Sequence, residues 1–192
     1  MRKLFAALTL IAILPLSGCA NDSLADQYRS GGNKNYIAGD GTVTEYAKAE
    51  RPVAASWSGI TESGGVITSS QLAGVVTVLN FWYAGCAPCR IEMRELRDLQ
   101  DEFMDQKVQF IGVNVRDSSE TALAFARKID LNFPSIMDSE TGSVVLAFTG
   151  VVTPQAVPTT IVIGKDGKVV ARVLGRIDQG ILRTLISSAV NE

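Results

Sequence analysis

The sequence contains no histidine and only three cysteines, and both shortages limit the chemistry that it can support. A zinc site needs a second pair of Cys or His ligands beside a Cys-x-x-Cys pair, and attachment of a c-type haem needs histidine directly after that pair. Arg90 follows Cys89 instead. We therefore expect neither a metal nor a cofactor.

The chain also lacks a large excess of charge of either sign. Its 192 residues carry 18 Lys and Arg against 20 Asp and Glu, a formal charge of -2. So small a net charge gives no electrostatic reason to expect a nucleic-acid partner. Hydrophobic residues make up 46% of the chain and charged residues 20%, which is typical of a globular protein with a single domain of ordinary size.

An apolar run from Leu4 to Leu14 follows Arg2-Lys3 and is too short to span a bilayer comfortably, so it predicts an export signal. The segment Leu16-Ser17-Gly18-Cys19 resembles the bacterial lipobox, in which the cysteine is lipidated. An ordinary secretory signal with an incidental cysteine is the alternative. We expect residues 1–18 to be a lipoprotein signal peptide and Cys19 to anchor the protein to the cell membrane at its extracytoplasmic face.

Residues 19–51 are polar, contain several glycines and show no sustained period, which predicts a tether with at most a loosely docked stretch. Residues 52–192 show alternating strand and helix patterns, and these predict an α/β domain with a mixed central sheet and helices on both faces. The expected strands are a hairpin over 56–61 and 66–68 and four further strands over 75–79, 108–115, 160–163 and 169–174. The expected helices are one after Cys89, one capped by Ser118 or Ser119, a short one over 143–149, and a closing helix. The closing helix should bury Ile181, Leu182, Leu185, Ile186 and Val190.

The segment Cys86-Ala87-Pro88-Cys89 lies where a buried strand stops and a helical pattern begins. Backbone N–H groups at a helix N-terminus lack intrahelical partners, and the helix dipole adds partial positive charge, so Cys86 is favoured as a thiolate. Cys89, about one turn further on, can close a small disulfide ring with it. This spacing predicts that Cys86 attacks and Cys89 resolves. A structural disulfide is the alternative, although so small a ring restrains little of the unfolded chain.

Four motifs together resemble the thioredoxin superfamily in its exported, membrane-tethered TlpA/ResA branch. They are Val78-Leu79-Asn80-Phe81-Trp82, Cys86-Ala87-Pro88-Cys89-Arg90, Val157-Pro158-Thr159-Thr160 and Gly164-Lys165-Asp166-Gly167. The resemblance implies a thioredoxin-like fold with an N-terminal β-hairpin. It also implies a cis bond before Pro158 beside the two cysteines and substrate contacts from Trp82, Val157 and Pro158.

Three positions depart from the family pattern. Asn80 stands where cytosolic thioredoxins carry a buried acid, and an amide cannot shuttle a proton. Deprotonation of Cys89 then needs water or another carboxylate, and Glu92 is expected to be a solvated helix residue. Ala87 replaces an acid frequent in the branch, so we expect no tight selection for one substrate class. Gly85 replaces a tryptophan, so we expect a flat, open surface beside Cys86.

The resemblance implies an extracytoplasmic thiol-disulfide oxidoreductase that reduces disulfides of exported proteins, with apocytochrome c as the foremost client and a membrane thiol donor of the CcdA type. A general envelope reductase and a peroxide-handling redoxin are alternatives, although the Thr-x-x-Cys context of peroxiredoxins does not occur at Cys86. A third alternative is a non-catalytic binding lipoprotein whose disulfide is structural.

Overall fold

The computed structural model describes residues 43–153 and 156–192. The predicted signal peptide, Cys19 and most of the predicted tether lie outside these residues. The strands are β1 Val43–Glu45, β2 Ser58–Ile60, β3 Val66–Thr68, β4 Val76–Trp82, β5 Val108–Asn114, β6 Ser135–Met137, β7 Thr159–Ile163 and β8 Val169–Leu174. The helices are α1 Ala87–Phe103, α2 Ser119–Lys128, α3 Ser143–Ala147 and α4 Gln179–Val190.

The central sheet has the strand order β1-β8-β7-β4-β5-β6. β4 pairs in parallel with β5, and β5 in parallel with β6, whereas β7 runs antiparallel to both β4 and β8. Every residue of β4 is buried. Since successive side chains of a strand point to opposite faces, both faces of the sheet are covered. The predicted mixed α/β architecture is confirmed.

The predicted N-terminal hairpin is present, but β2 and β3 form a separate two-stranded sheet. A single bridge between Thr61 and Ile136 joins it to the edge strand β6. Gly59 permits this approach, because a Cβ there would lie 2.1 Å from Cγ2 of Ile136. The hairpin therefore packs on the edge of the central sheet without extending its hydrogen-bonded ladder as a further strand.

The folded part begins before the predicted boundary at residue 51. Val43–Glu45 pairs with β8 at the edge of the central sheet, so this part of the predicted tether is a docked β-strand. Arg51 also donates two hydrogen bonds to Glu192, of 2.7 and 2.6 Å, near the end of α4. A strand of three residues is too short to show a period of its own, and its pairing with β8 depends on the rest of the sheet.

Two helices confirm their predicted patterns with one exception. α1 buries Cys89, Glu92, Met93, Leu96, Leu99 and Phe103. α4 begins after Asp178, whose side chain accepts the N–H of Ile181. Ile181 is 45% exposed, so its predicted burial is wrong, because the stripe through Leu182, Leu185, Ile186 and Ala189 faces the core instead. No helix in the described ranges has the length and apolar character needed to cross a bilayer.

Candidate active site

Cys86 and Cys89 form a disulfide with an S–S distance of 2.03 Å. Cys86 is the N-cap of α1, and its Sγ accepts the backbone N–H of Cys89 at 3.3 Å. Pro88 occupies the first turn, where its missing N–H costs no helical hydrogen bond. The cysteine pair therefore occupies the helix N-terminus that the sequence predicts, with an N–H group directed at Sγ of Cys86.

The surface around the disulfide is only partly open. Gly85 and Ala87 are exposed, as expected, but Cys86 and Cys89 are each 0% exposed. Arg116 lies over the ring of Tyr83, with its Cζ 4.6 Å from the ring centroid. The expectation of an open surface therefore holds for the residues that flank Cys86 and is wrong for its sulfur atom.

The loop that carries Cys86 is held by an acid that sequence reasoning missed. Oδ2 of Asp117 accepts the backbone N–H of Ala84 at 2.6 Å and the side-chain amide of Asn114 at 2.8 Å. Oδ1 of Asn114 accepts the backbone N–H of Asp117 at 2.8 Å. These contacts tie the loop after β4 to the loop after β5, and they depend on the parallel pairing of the two strands.

Trp82 lies in the core at the end of β4. Its side chain is 0% exposed, its ring packs against Phe125, and its indole N–H donates to Oγ of Ser135 at 3.2 Å. Substrate binding by Trp82 therefore stays a prediction. Trp82 is a core residue that supports the end of β4 from within.

The bond between Val157 and Pro158 is cis, as predicted. Thr159 pairs with Phe81, so Pro158 lies at the end of β7 that adjoins the end of β4, from which the Cys86 loop departs. The carbonyl of Pro158 accepts the N–H of Gly175 at 2.8 Å, and both Val157 and Pro158 are buried. The two residues lie at the same end of the central strands as the cysteine loop, and substrate binding by them stays a prediction.

Glu92 is not solvated, and that expectation is wrong. Its side chain is 0% exposed, and the side-chain amide of Asn80 donates to Oε1 at 2.6 Å. The backbone N–H of Ile177 donates to Oε2 at 3.1 Å, and Asn80 also donates to the hydroxyl of Thr160 at 3.0 Å. The carboxyl group of Glu92 is thus enclosed by strands β4 and β7 and by the loop before α4.

Burial raises the pKa of Glu92 to about 8. The hydrogen bonds from Asn80 and Ile177 oppose this shift, because both stabilise the carboxylate. Glu92 follows Cys89 by three residues on the same buried face of α1, a spacing that makes two side chains neighbours. A carboxyl group with this pKa can take a proton from a thiol, whose ordinary pKa is about 8.5.

The sequence does contain a signal for the burial of Glu92. Cys89, Glu92, Met93 and Leu96 follow the spacing of a single apolar stripe, and a charged residue within such a stripe is a candidate functional group. As for metal ions, no group of three His, Cys, Asp or Glu side chains that could hold one occurs among residues 43–153 and 156–192.

The sequence signature of the AhpC/TSA family matches residues 51–172, more than half of the chain. This chain belongs to the AhpC/TSA family. The match includes both cysteines, Asn80, Glu92 and Pro158, and the thioredoxin-like relationship predicted from the motifs is confirmed.

Two curated relatives of this AhpC/TSA family member are thiol-disulfide oxidoreductases named ResA. The protein from Bacillus subtilis (strain 168) is 32% identical over 120 residues, which cover 62% of this chain and 64% of that protein. The protein from Bacillus cereus is 30% identical over 112 residues, which cover 58% of this chain and 62% of that protein. The matched region therefore spans less than two thirds of these relatives.

Solved structures similar to this family member cover more of the chain. A secreted thiol-disulfide isomerase from Corynebacterium glutamicum is 28% identical with a TM-score of 0.71, and the match covers 82% of this chain and 97% of that one. A DsbF homologue from Corynebacterium diphtheriae is 27% identical with a TM-score of 0.68, and the match covers 80% and 98% respectively. The fold of this AhpC/TSA chain thus agrees with that of both solved proteins over nearly their whole length.

Proposed function

We propose that this chain is an extracytoplasmic thiol-disulfide oxidoreductase that reduces disulfide bonds of exported proteins. The observation that carries the proposal is a Cys-x-x-Cys disulfide at a helix N-terminus with a buried carboxyl group of raised pKa one turn later on the same face. A structural disulfide needs no such acid. The relatives with thiol-disulfide names support the same activity.

The first step joins the reduced protein to its client. The Cys86 thiolate attacks one sulfur of the client disulfide, a mixed disulfide forms, and the other client sulfur leaves as a thiolate. The N–H of Cys89 and the dipole of α1 stabilise the attacking thiolate. Because Cys86 is 0% exposed in the disulfide form, we expect a reaction partner to displace neighbouring groups as it docks.

The second step releases the client. Cys89 gives its proton to the Glu92 carboxylate and attacks Sγ of Cys86, which forms the intramolecular disulfide and expels the second client thiolate. Two electrons thus pass from the two cysteines to the client disulfide. The proton held by Glu92 then passes to solvent or to the departing thiolate, and a membrane thiol donor of the CcdA type returns two electrons to the Cys86–Cys89 disulfide.

The client and the place of action follow from the resemblance to the TlpA/ResA branch and from the leader. We propose apocytochrome c, before haem attachment, as the client. A lipid on Cys19 would hold the domain at the extracytoplasmic face of the membrane, close to such a donor. Val157 and Pro158 lie at the end of the central strands from which the cysteine loop departs, and they would pair with the extended client segment.

The test uses insulin reduction with dithiothreitol as electron source and trapping in cells. Cys86→Ser should lower insulin reduction to the rate of dithiothreitol alone, and Cys89→Ser should retain clients as mixed disulfides that dithiothreitol releases. Glu92→Gln should slow reduction by about 10²-fold near neutral pH, since general-base catalysis of this kind contributes 10²–10⁴-fold. The control is Glu102→Gln, an exposed acid on the same helix, which should leave the rate unchanged.

Two alternative functions predict different outcomes. With a non-catalytic lipoprotein, insulin would be reduced only at the rate of dithiothreitol alone, whatever the variant. A peroxide-handling redoxin would consume hydrogen peroxide faster than free thiols do and would lose that activity with Cys86→Ser. Absence of both insulin reduction and trapped clients would overturn the proposal.

A further inference from the structure

Two consecutive residues of the loop between β8 and α4 hold two acids of α1. The backbone N–H of Ile177 donates to Oε2 of Glu92 at 3.1 Å. The guanidinium of Arg176 forms an ion pair and a hydrogen bond with Oε1 of Glu95. Glu92 and Glu95 are one helical turn apart, so the same loop segment fixes the buried acid through its backbone and the next acid through its side chain.

Glu95 and Arg176 are the charged groups that act on Glu92 within the described residues. The other groups facing its carboxyl are neutral: the amide of Asn80, which is bonded to Thr160, and the N–H of Ile177. The charge of Glu95 favours a proton on Glu92, and the charge of Arg176 disfavours it. The two effects oppose each other as long as the ion pair stays formed.

The ion pair is more exposed than the buried acid. The side chain of Glu95 is 25% exposed and that of Arg176 50%, while Glu92 is fully buried. Both partners line a pocket of about 500 Å³ together with Val43, Val173 and Ile177. Oε2 of Glu95 is buried and has no hydrogen-bond partner among the described residues, so part of this carboxylate is poorly screened.

We propose that the Glu95–Arg176 ion pair sets the pH range in which Glu92 can take the proton of Cys89. This inference rests on the proposed role of Glu92. Because the two charges act in opposite directions, removal of either partner unbalances the pair. Loss of Glu95 leaves an uncompensated cation near Glu92, and loss of Arg176 leaves an uncompensated anion.

The experiment compares Glu95→Gln, Arg176→Gln and the double variant in the full oxidised chain, with the Glu92 carboxyl titrated by carbon-13 NMR. Glu95→Gln should lower the titration midpoint of Glu92 by about one pH unit, and Arg176→Gln should raise it by a similar amount. The double variant should return it close to the parent value. Added salt should reduce both shifts, since the pair borders solvent.

A second ion pair, between α1 and α4, provides a matched control. Arg183 of α4 donates to Glu102 of α1 at 2.7 Å, and both side chains are 41% exposed. Arg183→Gln and Glu102→Gln remove an ion pair of the same composition farther along α1, and they should leave the Glu92 midpoint unchanged. A merely structural role of Glu95 and Arg176 would alter stability alike in both variants and would not move the midpoint in opposite directions.

A second measurement tests the ionisation of Cys89. In a Cys86→Ser background, the pH profile of Cys89 alkylation by iodoacetamide should move down with Glu95→Gln and up with Arg176→Gln. Shifts of the same sign, or no shifts, would overturn the inference. If the shifts occur but the parent chain does not reduce insulin, the proposed function fails and the electrostatic role of the pair stands. If the parent reduces insulin but no shift occurs, the inference alone fails.

Discussion

The carboxyl group of Glu92 on α1 lies 2.6 Å from the side-chain amide of Asn80 on β4, and both residues are buried. Asn80 occupies the strand position at which cytosolic thioredoxins carry their acid. In this chain the acid comes from the helix instead, and the amide holds it in place. The strand therefore supplies the hydrogen bond, and the helix supplies the ionisable group.

Glu92 makes the stability of the oxidised protein depend on pH. Its pKa is raised from 4.5 in the unfolded chain to about 8 in the folded protein, so between these values the native state binds the proton that the unfolded state has lost. The free energy of unfolding should therefore decrease as pH rises from about 4.5 to about 8, at roughly 1.4 kcal/mol per pH unit at most, and then level off. Urea denaturation at a series of pH values measures this slope.

Glu92→Gln should flatten that slope and stabilise the oxidised protein above pH 8, where the parent carries a buried charge. Glu102→Gln is the control, because Glu102 is exposed and the hydrogen bond from Arg183 lowers its pKa. It should retain the parental slope between pH 4.5 and 8. A parental slope in Glu92→Gln would show that other groups cause the pH dependence.

Gly112→Ala should destabilise the fold by about 1–3 kcal/mol, the usual cost of an overpacked core position. A Cβ at Gly112 would lie 2.3 Å from Oγ of Ser135 and 2.7 Å from Nε1 of Trp82, which are bonded to each other. The urea midpoint should fall with an unchanged m-value. Gly180→Ala, at an exposed position in the first turn of α4, should change stability by less than about 1 kcal/mol.

The direction of electron flow should be that of a reductant. Ala87 and Pro88 add neither charge nor a side-chain hydrogen bond, which leaves the helix terminus and the N–H of Cys89 to stabilise the Cys86 thiolate. We expect the pKa of the Cys86 thiol to lie moderately below its usual range, and the reduction potential to lie between roughly -200 and -270 mV. Equilibration with a glutathione redox series measures the potential. A value near -120 mV, that of a strong oxidant, would reverse the proposed direction.

Cys19→Ala should release the protein from membranes or leave its leader uncleaved, since the lipobox-like segment ends at this cysteine. A single lipid chain gives only marginal membrane binding, so we expect at least two chains on Cys19. Fractionation and mass spectrometry of the N-terminus measure both effects. A variant that stays with the membrane and is cut at another position would exclude Cys19 as the lipid site.

The sequence alone determined the features that depend on neighbours along the chain. Three local patterns predicted the helix, the disulfide and the chemistry of Cys86 and Cys89. They are a cap followed by an apolar helical stripe, a proline in the first turn, and two cysteines separated by two residues. The pattern of strands and helices likewise predicted the mixed sheet. The cis bond at Pro158 was predicted through the resemblance to thioredoxins.

Only the tertiary structure decided which polar and aromatic side chains face the site. The burial of Glu92 requires Asn80 of β4 and the N–H of Ile177, which lie 12 and 85 residues away along the chain. The indole N–H of Trp82 is bonded to Ser135 within the core, and β1 forms because it pairs with β8. A single sequence carries no record of such long-range partners. The charge state of a buried acid depends on the groups that folding assembles around it.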